Sequence, residues 1–238
     1  MTSRLELVRP PRAMRERVIV ALDVDNLDKV KELVGLLAPE AGMFKIGKQL
    51  FTHAGPQAVK LVQELGGEVF LDLKFHDIPN TVAKAAIEAT RLGVKMFNVH
   101  ASGSLEMMVA TVKEVSRVCR LEKQRRPIML AVTVLTSLNQ DDLKRVGVDG
   151  RVAAQVVRLA LLTKEAGMDG VVASPQEVAD IRAACGRPIT SSSAGRSSKP
   201  KILFQPHEPS SAKWNGRSAR KDGSAQFLNQ AFRFYRFQ

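Results

Sequence analysis

The sequence predicts an α/β chain of the TIM (β/α)8 barrel class, with six regular βα units followed by an atypical C-terminal segment. Three observations lead there. Between residues 17 and 185, short β-branched runs alternate with longer stretches of helical period, the pattern of parallel strands joined by crossover helices. The chain has 238 residues, enough for one sizeable core. After Cys185 the alternation stops, although an eight-unit barrel typically takes about 250 residues and the remaining length would suit two more units. The expected division is a barrel domain over 1–185 and a tail over 186–238.

The expected strands are residues 18–23, 43–46, 69–74, 96–100, 128–135 and 170–173, with helices between them. Helix entries are legible at Asn26 and Ser104, whose side chains can accept from a first-turn N–H. Pro79 and Pro175 suit a first turn, where a missing N–H costs nothing. Gly66-Gly67, Gly93, Gly147 and Gly167 mark the helix ends.

Hydrophobic residues make up 45% and charged residues 25%, the balance of a soluble globular protein. No apolar run approaches the roughly 20 residues that span a bilayer. The Arg-rich start has no apolar segment behind it, so a cytoplasmic protein is expected. Cys119 and Cys185 lack metal or disulfide spacing and read as buried free thiols. The net charge of +12 would suggest a polyanionic partner, but its distribution argues against one. Residues 1–185 hold 26 Lys/Arg against 22 Asp/Glu, whereas residues 186–238 hold 10 against 2. That segment also has nine Ser, no Val and seven of the twelve aromatic residues. Within it only 202–204 has strand character, and 227–237 could form a short amphipathic helix or a solvated end.

The stretch "VFLDLKFHDIPNT", residues 69–81, begins as a buried strand yet carries two carboxylates and a lysine. Side chains two residues apart in a strand share a face, so Asp72 and Lys74 project together while Leu71, Leu73 and Phe75 project to the other side. They fall at the C-terminal end of the third strand, where barrel active sites are built. A buried ion pair that only holds the loop is the bland alternative; such pairs are costly to assemble and weak evidence for stability. A lysine flanked by the carboxylates of Asp72 and Asp77 would keep its proton and could donate it. Asp23 and Lys45 end strands one and two on the same rim, and "TVLTS", residues 133–137, offers hydroxyls at the end of strand five. His100 reads as a satisfied interior group, and His76 is expected to alternate out of the pocket by strand parity. No set of His and carboxylates has metal-site spacing, so no metal is expected.

Together, "ALDVD", "FKIG", "FLDLKFHDIPNT", "NVHASG" and "TVLTS" resemble the bacterial orotidine 5′-phosphate decarboxylases over residues 18–185. The resemblance implies a cofactor-free decarboxylation of orotidine 5′-phosphate to UMP in pyrimidine biosynthesis. By position, Lys74 would protonate C6 of the pyrimidine and Asp72 would face the departing carboxylate. Asp77, Ile78 and Thr81 would reach into the site of a second subunit, so a homodimer with shared sites is implied. Asp23 and Lys45 would hold ribose hydroxyls, and Thr136 would face the pyrimidine. No nucleic acid or membrane partner is expected.

The chain departs from the family pattern after Cys185. The family grips the substrate phosphate from loops after its seventh and eighth strands, and no counterpart of the first such segment is present. "GRPIT", residues 186–190, resembles the second, with Arg187 as phosphate ligand, but follows the sixth helix directly. An internal deletion is one explanation. A slipped reading frame is the favoured one: CCC GAT TAC CTC ATC GTC, encoding Pro-Asp-Tyr-Leu-Ile-Val, reads Pro-Ile-Thr-Ser-Ser-Ser after loss of one base, as at residues 188–193. Either way, impaired activity and unpaired sheet edges are expected. Rival readings are a Mg²⁺-dependent enzyme acting on a sugar phosphate with the same Asp-x-Lys-x-x-Asp cluster, and a basic, aromatic tail that binds nucleic acid.

Overall fold

The structure, a computed structural model, describes residues 18–186, 201–204 and 234–236. Six strands lie parallel and side by side in chain order: β1 (Val18–Ala21), β2 (Met43–Gly47), β3 (Val69–Phe75), β4 (Met96–His100), β5 (Ile128–Val132) and β6 (Gly170–Ala173). The connections are α1 (Leu27–Leu37), α2 (Lys48–Ala54) with α3 (Pro56–Glu64), α4 (Pro79–Arg91), α5 (Leu105–Leu121), and α6 (Gln140–Arg145) with α7 (Val152–Glu165). Helix α8 (Val178–Cys185) follows β6. This is the alternation expected from the sequence.

The helix signals act as their chemistry requires. The Asn26 side chain accepts from Lys29 N at 2.9 Å and caps α1, and Ser104 Oγ accepts from Met107 N at 3.1 Å and caps α5. Pro79 opens α4. Ser174 and Glu177 form a reciprocal capping box around the 3-10 turn at Pro175–Glu177. Gly93 and Gly167 end helices with φ of +72° and +75°, a left-handed conformation open to glycine at little cost.

The strands' period of two sorts their side chains into two layers. Val20, Phe44, Ile46, Leu71, Phe97, Val99, Ala131 and Val171 pack with helix residues such as Val34, Val62, Ala86, Val115 and Leu159. Ile19, Ala21, Met43, Phe70, Met96, Leu130, Val132 and Val172 form a separate cluster on the inner face. Burying a side chain of this size contributes about 1.5–3 kcal/mol, so this inner floor anchors the sheet. Two residues further along β2, β3 and β4, the inner positions turn polar: Lys45, Asp72 and Asn98. Cys119 and Cys185 are free and buried, as expected.

Two further strands complete the order β7-β6-β5-β4-β3-β2-β1-β8. β7 (Lys201–Phe204) pairs in parallel with β6, and β8 (Phe234–Arg236) pairs antiparallel with β1. Two expectations change here. The outer edges of β1 and β6 are paired instead of open, because short extended segments from beyond residue 186 take up their ladder groups. Of the stretch 227–237, the described part, Phe234–Arg236, is a strand and not a helix; the β-favouring Phe and Tyr outweigh the weak helical period. Arg187 and the rest of "GRPIT" after Gly186 lie outside the described residues. Among the described residues, no helix is long and apolar enough to cross a membrane.

Candidate active site

The strand ends bring four charged side chains into one alternating row. Lys45 Nζ lies 3.2 Å from Asp23 Oδ1 and 3.6 Å from Asp72 Oδ2, and Lys74 Nζ donates to Asp72 Oδ1 at 2.6 Å. Lys45 and Asp72 are buried, at 4% and 6% exposure, while the Lys74 side chain keeps 17% and that of Asp23 38%. The row thus runs from a half-open carboxylate through a sealed pair to an ammonium that solvent or a ligand can reach. Gly47 stands in register with Asp72, and a Cβ there would lie 3.4 Å from Lys45 Nζ, so glycine keeps the space over the row clear.

Burial alone would raise the Asp72 carboxyl. The ammonium groups of Lys74 and Lys45, with hydrogen bonds from Lys74 and Asn98, outweigh it and hold the group below the usual carboxylate range. Asp72 therefore stays an anion at neutral pH. The lysine held between two carboxylates is Lys45, not Lys74 as the sequence suggested. Asp77 joins no ion pair among the described residues; its Oδ1 accepts from Ile78 N at 2.7 Å in an exposed loop. Asp77 lies two residues past the end of β3, and among the described residues no ion pair joins it to Lys74.

Strand β3 is irregular where it matters. Its register with β4 shifts between Leu71 and Phe75, and Lys74 has φ +53°, a left-handed conformation that costs a non-glycine residue about 1–3 kcal/mol. Asn98, on β4 and 1% exposed, spans the irregularity. Its Nδ2 donates to Asp72 Oδ1 at 2.7 Å, and its Oδ1 accepts from Lys74 N at 2.8 Å. Sequence reasoning missed Asn98, although a signal was present: in "MFNVH" it is a polar residue at the inward parity of a buried strand, where an unpaired amide would be costly.

Of the remaining expected site residues, Ile78 is 66% exposed and Thr81 is also exposed, so with Asp77 they form an outward-facing group beside α4. Thr136 is half-buried in the loop after β5. Thr133, earlier on the same stretch, donates its hydroxyl to Val172 O at 3.1 Å and ties β5 to β6.

His76, just past the end of β3, is exposed, and its ring lies 5.3 Å from that of His100 at the end of β4. Burial first, then the positive field of His76, Lys74 and Lys48, pushes His100 down to about 4, with Asp72 opposing. Between that value and 6.5 the unfolded chain binds the proton that the folded chain refuses, so stability is lost as pH falls through this window. The thermal midpoint is expected to drop between pH 7 and pH 5, and His100→Gln to flatten that drop; equal slopes in both proteins would count against it.

The family model described as "Orotidine 5′-phosphate decarboxylase / HUMPS family" matches residues 16–200. An orotidine 5′-phosphate decarboxylase of Geotalea uraniireducens is 56% identical over 173 residues, covering 73% of this chain and 71% of its own length. That of Pelobacter propionicus is 56% identical over 172 residues, covering 72% and 70%. Among solved structures, the orotidine 5′-phosphate decarboxylase of Lactobacillus acidophilus superposes with a TM-score of 0.66 at 36% identity, covering 71% of this chain and 76% of that one. On the match over 16–200 and these identities, the chain belongs to the orotidine 5′-phosphate decarboxylase / HUMPS family.

Proposed function

We propose that the chain decarboxylates orotidine 5′-phosphate to UMP, in the cytoplasm, with neither metal nor organic cofactor. The observation that carries this reading is the row Asp23, Lys45, Asp72, Lys74 on the C-terminal rim of the strands. Loss of carbon dioxide leaves a pair of electrons at C6 of the pyrimidine, and negative charge develops there only as the bond breaks. An ammonium already fixed beside that carbon stabilises the transition state more than the bound substrate. Lys74 supplies it and then gives its proton to C6, which yields UMP. Asp72 holds Lys74 in place at 2.6 Å and faces the leaving carboxylate. Asp23 and Lys45 take the ribose hydroxyls, and Thr136 faces the base. Asp77, Ile78 and Thr81, all exposed, complete the site of a second copy in a homodimer.

The same reading carries a cost at the phosphate. Binding energy from a non-reacting phosphate positions the reacting ring, so a chain lacking its grip loses turnover as well as affinity. Residues 186–238 lack the first phosphate segment, and a slipped frame is our explanation for their composition. We therefore expect turnover well below the usual enzyme range.

The sugar-phosphate alternative needs Asp72 and Asp77 to share Mg²⁺. Asp72 already has two ammonium groups within 3.6 Å, which makes it a poor cation ligand, and Asp77 points elsewhere. The test is loss of orotidine 5′-phosphate absorbance with and without EDTA. Turnover insensitive to chelator is expected; turnover abolished by EDTA and restored by Mg²⁺ would transfer the site to the alternative. Resequencing the codons for Cys185 to Ser193 checks the slip.

A further inference from the structure

We propose that Asn98 is a positioning residue that sets both the backbone of Lys74 and the carboxylate of Asp72, an inference that rests on the decarboxylase reading for its kinetic consequence. The side chain bridges two groups that ordinary strand geometry would not hold. Where the β3–β4 register shifts, the N–H of Lys74 gives up a ladder partner and donates to Asn98 Oδ1 at 2.8 Å. The other end of the amide, Nδ2, donates at 2.7 Å to the same Asp72 Oδ1 that accepts from Lys74 Nζ at 2.6 Å. Only one orientation of the amide satisfies both neighbours, because an N–H requires an acceptor and a carboxylate requires a donor. The contacts themselves therefore fix which end is which.

The consequence is a closed triangle. Asn98 holds Lys74 by its backbone, Lys74 holds Asp72 by its ammonium, and Asp72 accepts from Asn98 in turn. Lys74 sits at φ +53°, a conformation that persists only where the surroundings impose it. Without the amide, its N–H is left without that acceptor in a half-buried place and the lysine can relax toward an ordinary strand conformation. Its ammonium would then move relative to the reacting carbon. A shift of about 1 Å at a reacting group costs on the order of a hundredfold in rate.

The test uses Asn98→Leu, which preserves bulk and removes both polar ends, and Asn98→Asp, which keeps an acceptor for Lys74 N but cannot donate to Asp72 when ionised. Two readouts need no turnover: amide hydrogen exchange at Lys74, and the NMR titration of the Asp72 side-chain carbon. In Asn98→Leu the Lys74 amide is expected to exchange at least about tenfold faster, while Phe70 and Leu71 hold their protection. The Asp72 midpoint should rise in the same variant. In Asn98→Asp the Lys74 amide stays protected while the Asp72 midpoint still rises, so this variant decides the matter if the leucine chain fails to fold. Unchanged exchange and an unchanged Asp72 midpoint in a folded variant would overturn the proposal. For the kinetic part, carbon dioxide release should show kcat falling about a hundredfold with KM within about twofold. Failure of the parent chain to turn over would count against the decarboxylase reading alone, since the NMR arms still report on Asn98.

Discussion

Lys74→Ala is expected to lower kcat/KM for orotidine 5′-phosphate by at least about 10⁴-fold. Proton delivery by a positioned side chain accounts for about 10²–10⁴ and a preorganised charge at the transition state for about 10²–10³. In the proposed reading one ammonium does both. The fold should survive the change, because Asp72 retains Lys45 at 3.6 Å and Asn98 at 2.7 Å. Lys74→Arg separates the two roles: a guanidinium restores the charge but holds its proton too tightly to donate it. It should stay close to the alanine variant. Release of labelled carbon dioxide from carboxyl-labelled substrate follows slow rates, and an alanine variant as fast as the parent would remove Lys74 from the chemistry.

Asp72→Ala should cost the fold about as much as Lys74→Ala spares it. Lys45 is 4% exposed and would be left with Asp23 and a second ammonium nearby. Removing one partner from a buried ionic cluster destabilises by about 3–5 kcal/mol, because the remaining charge is uncompensated. Urea unfolding measures this at pH 7. The pH dependence gives a second check. The folded-state value of Asp72 lies below its ordinary 3.8, so its stabilising effect is fully present above pH 3.8 and is lost as pH falls through the lower folded value. The alanine variant should lack that acid step, and an alanine variant as stable as the parent at pH 7 would mean that the cluster is solvated more fully than its exposure implies.

The charged row was legible in the sequence because two simple rules place it. Period two puts Asp72 and Lys74 on one face, and the strand order puts Asp23 and Lys45 beside them. Strands β4 and β6 were read to their ends. β1 and β5 were read too long, since Leu22 and the residues from Thr133 to Leu135 keep strand-like composition after the strands stop at Ala21 and Val132. What composition could not show was the register shift in β3, the left-handed Lys74 and therefore the task of Asn98. These depend on which backbone groups lose partners, a matter of pairing between strands. Asp77 does not flank Lys74 for a related reason: closeness in sequence is not closeness in space once the chain leaves β3 at Phe75. Composition sets residues 186–238 apart, but does not show that Lys201–Phe204 would pair in parallel with β6 or that Phe234–Arg236 would lie along β1.

The direction of β8 has its own consequence. β1 to β6 all point their C-terminal ends to one rim, and each connection leaving that rim can carry a group toward the substrate. β8 runs the other way, with Phe234 opposite Val20 and Arg236 opposite Val18. It begins at the rim that carries Asp72 and Lys74 and finishes at the opposite end of β1. β8 caps the edge of β1 as a hydrogen-bonding surface, with its own C-terminal end at the end of β1 away from that rim. Strand direction, more than composition, sets β8 apart from the six parallel strands.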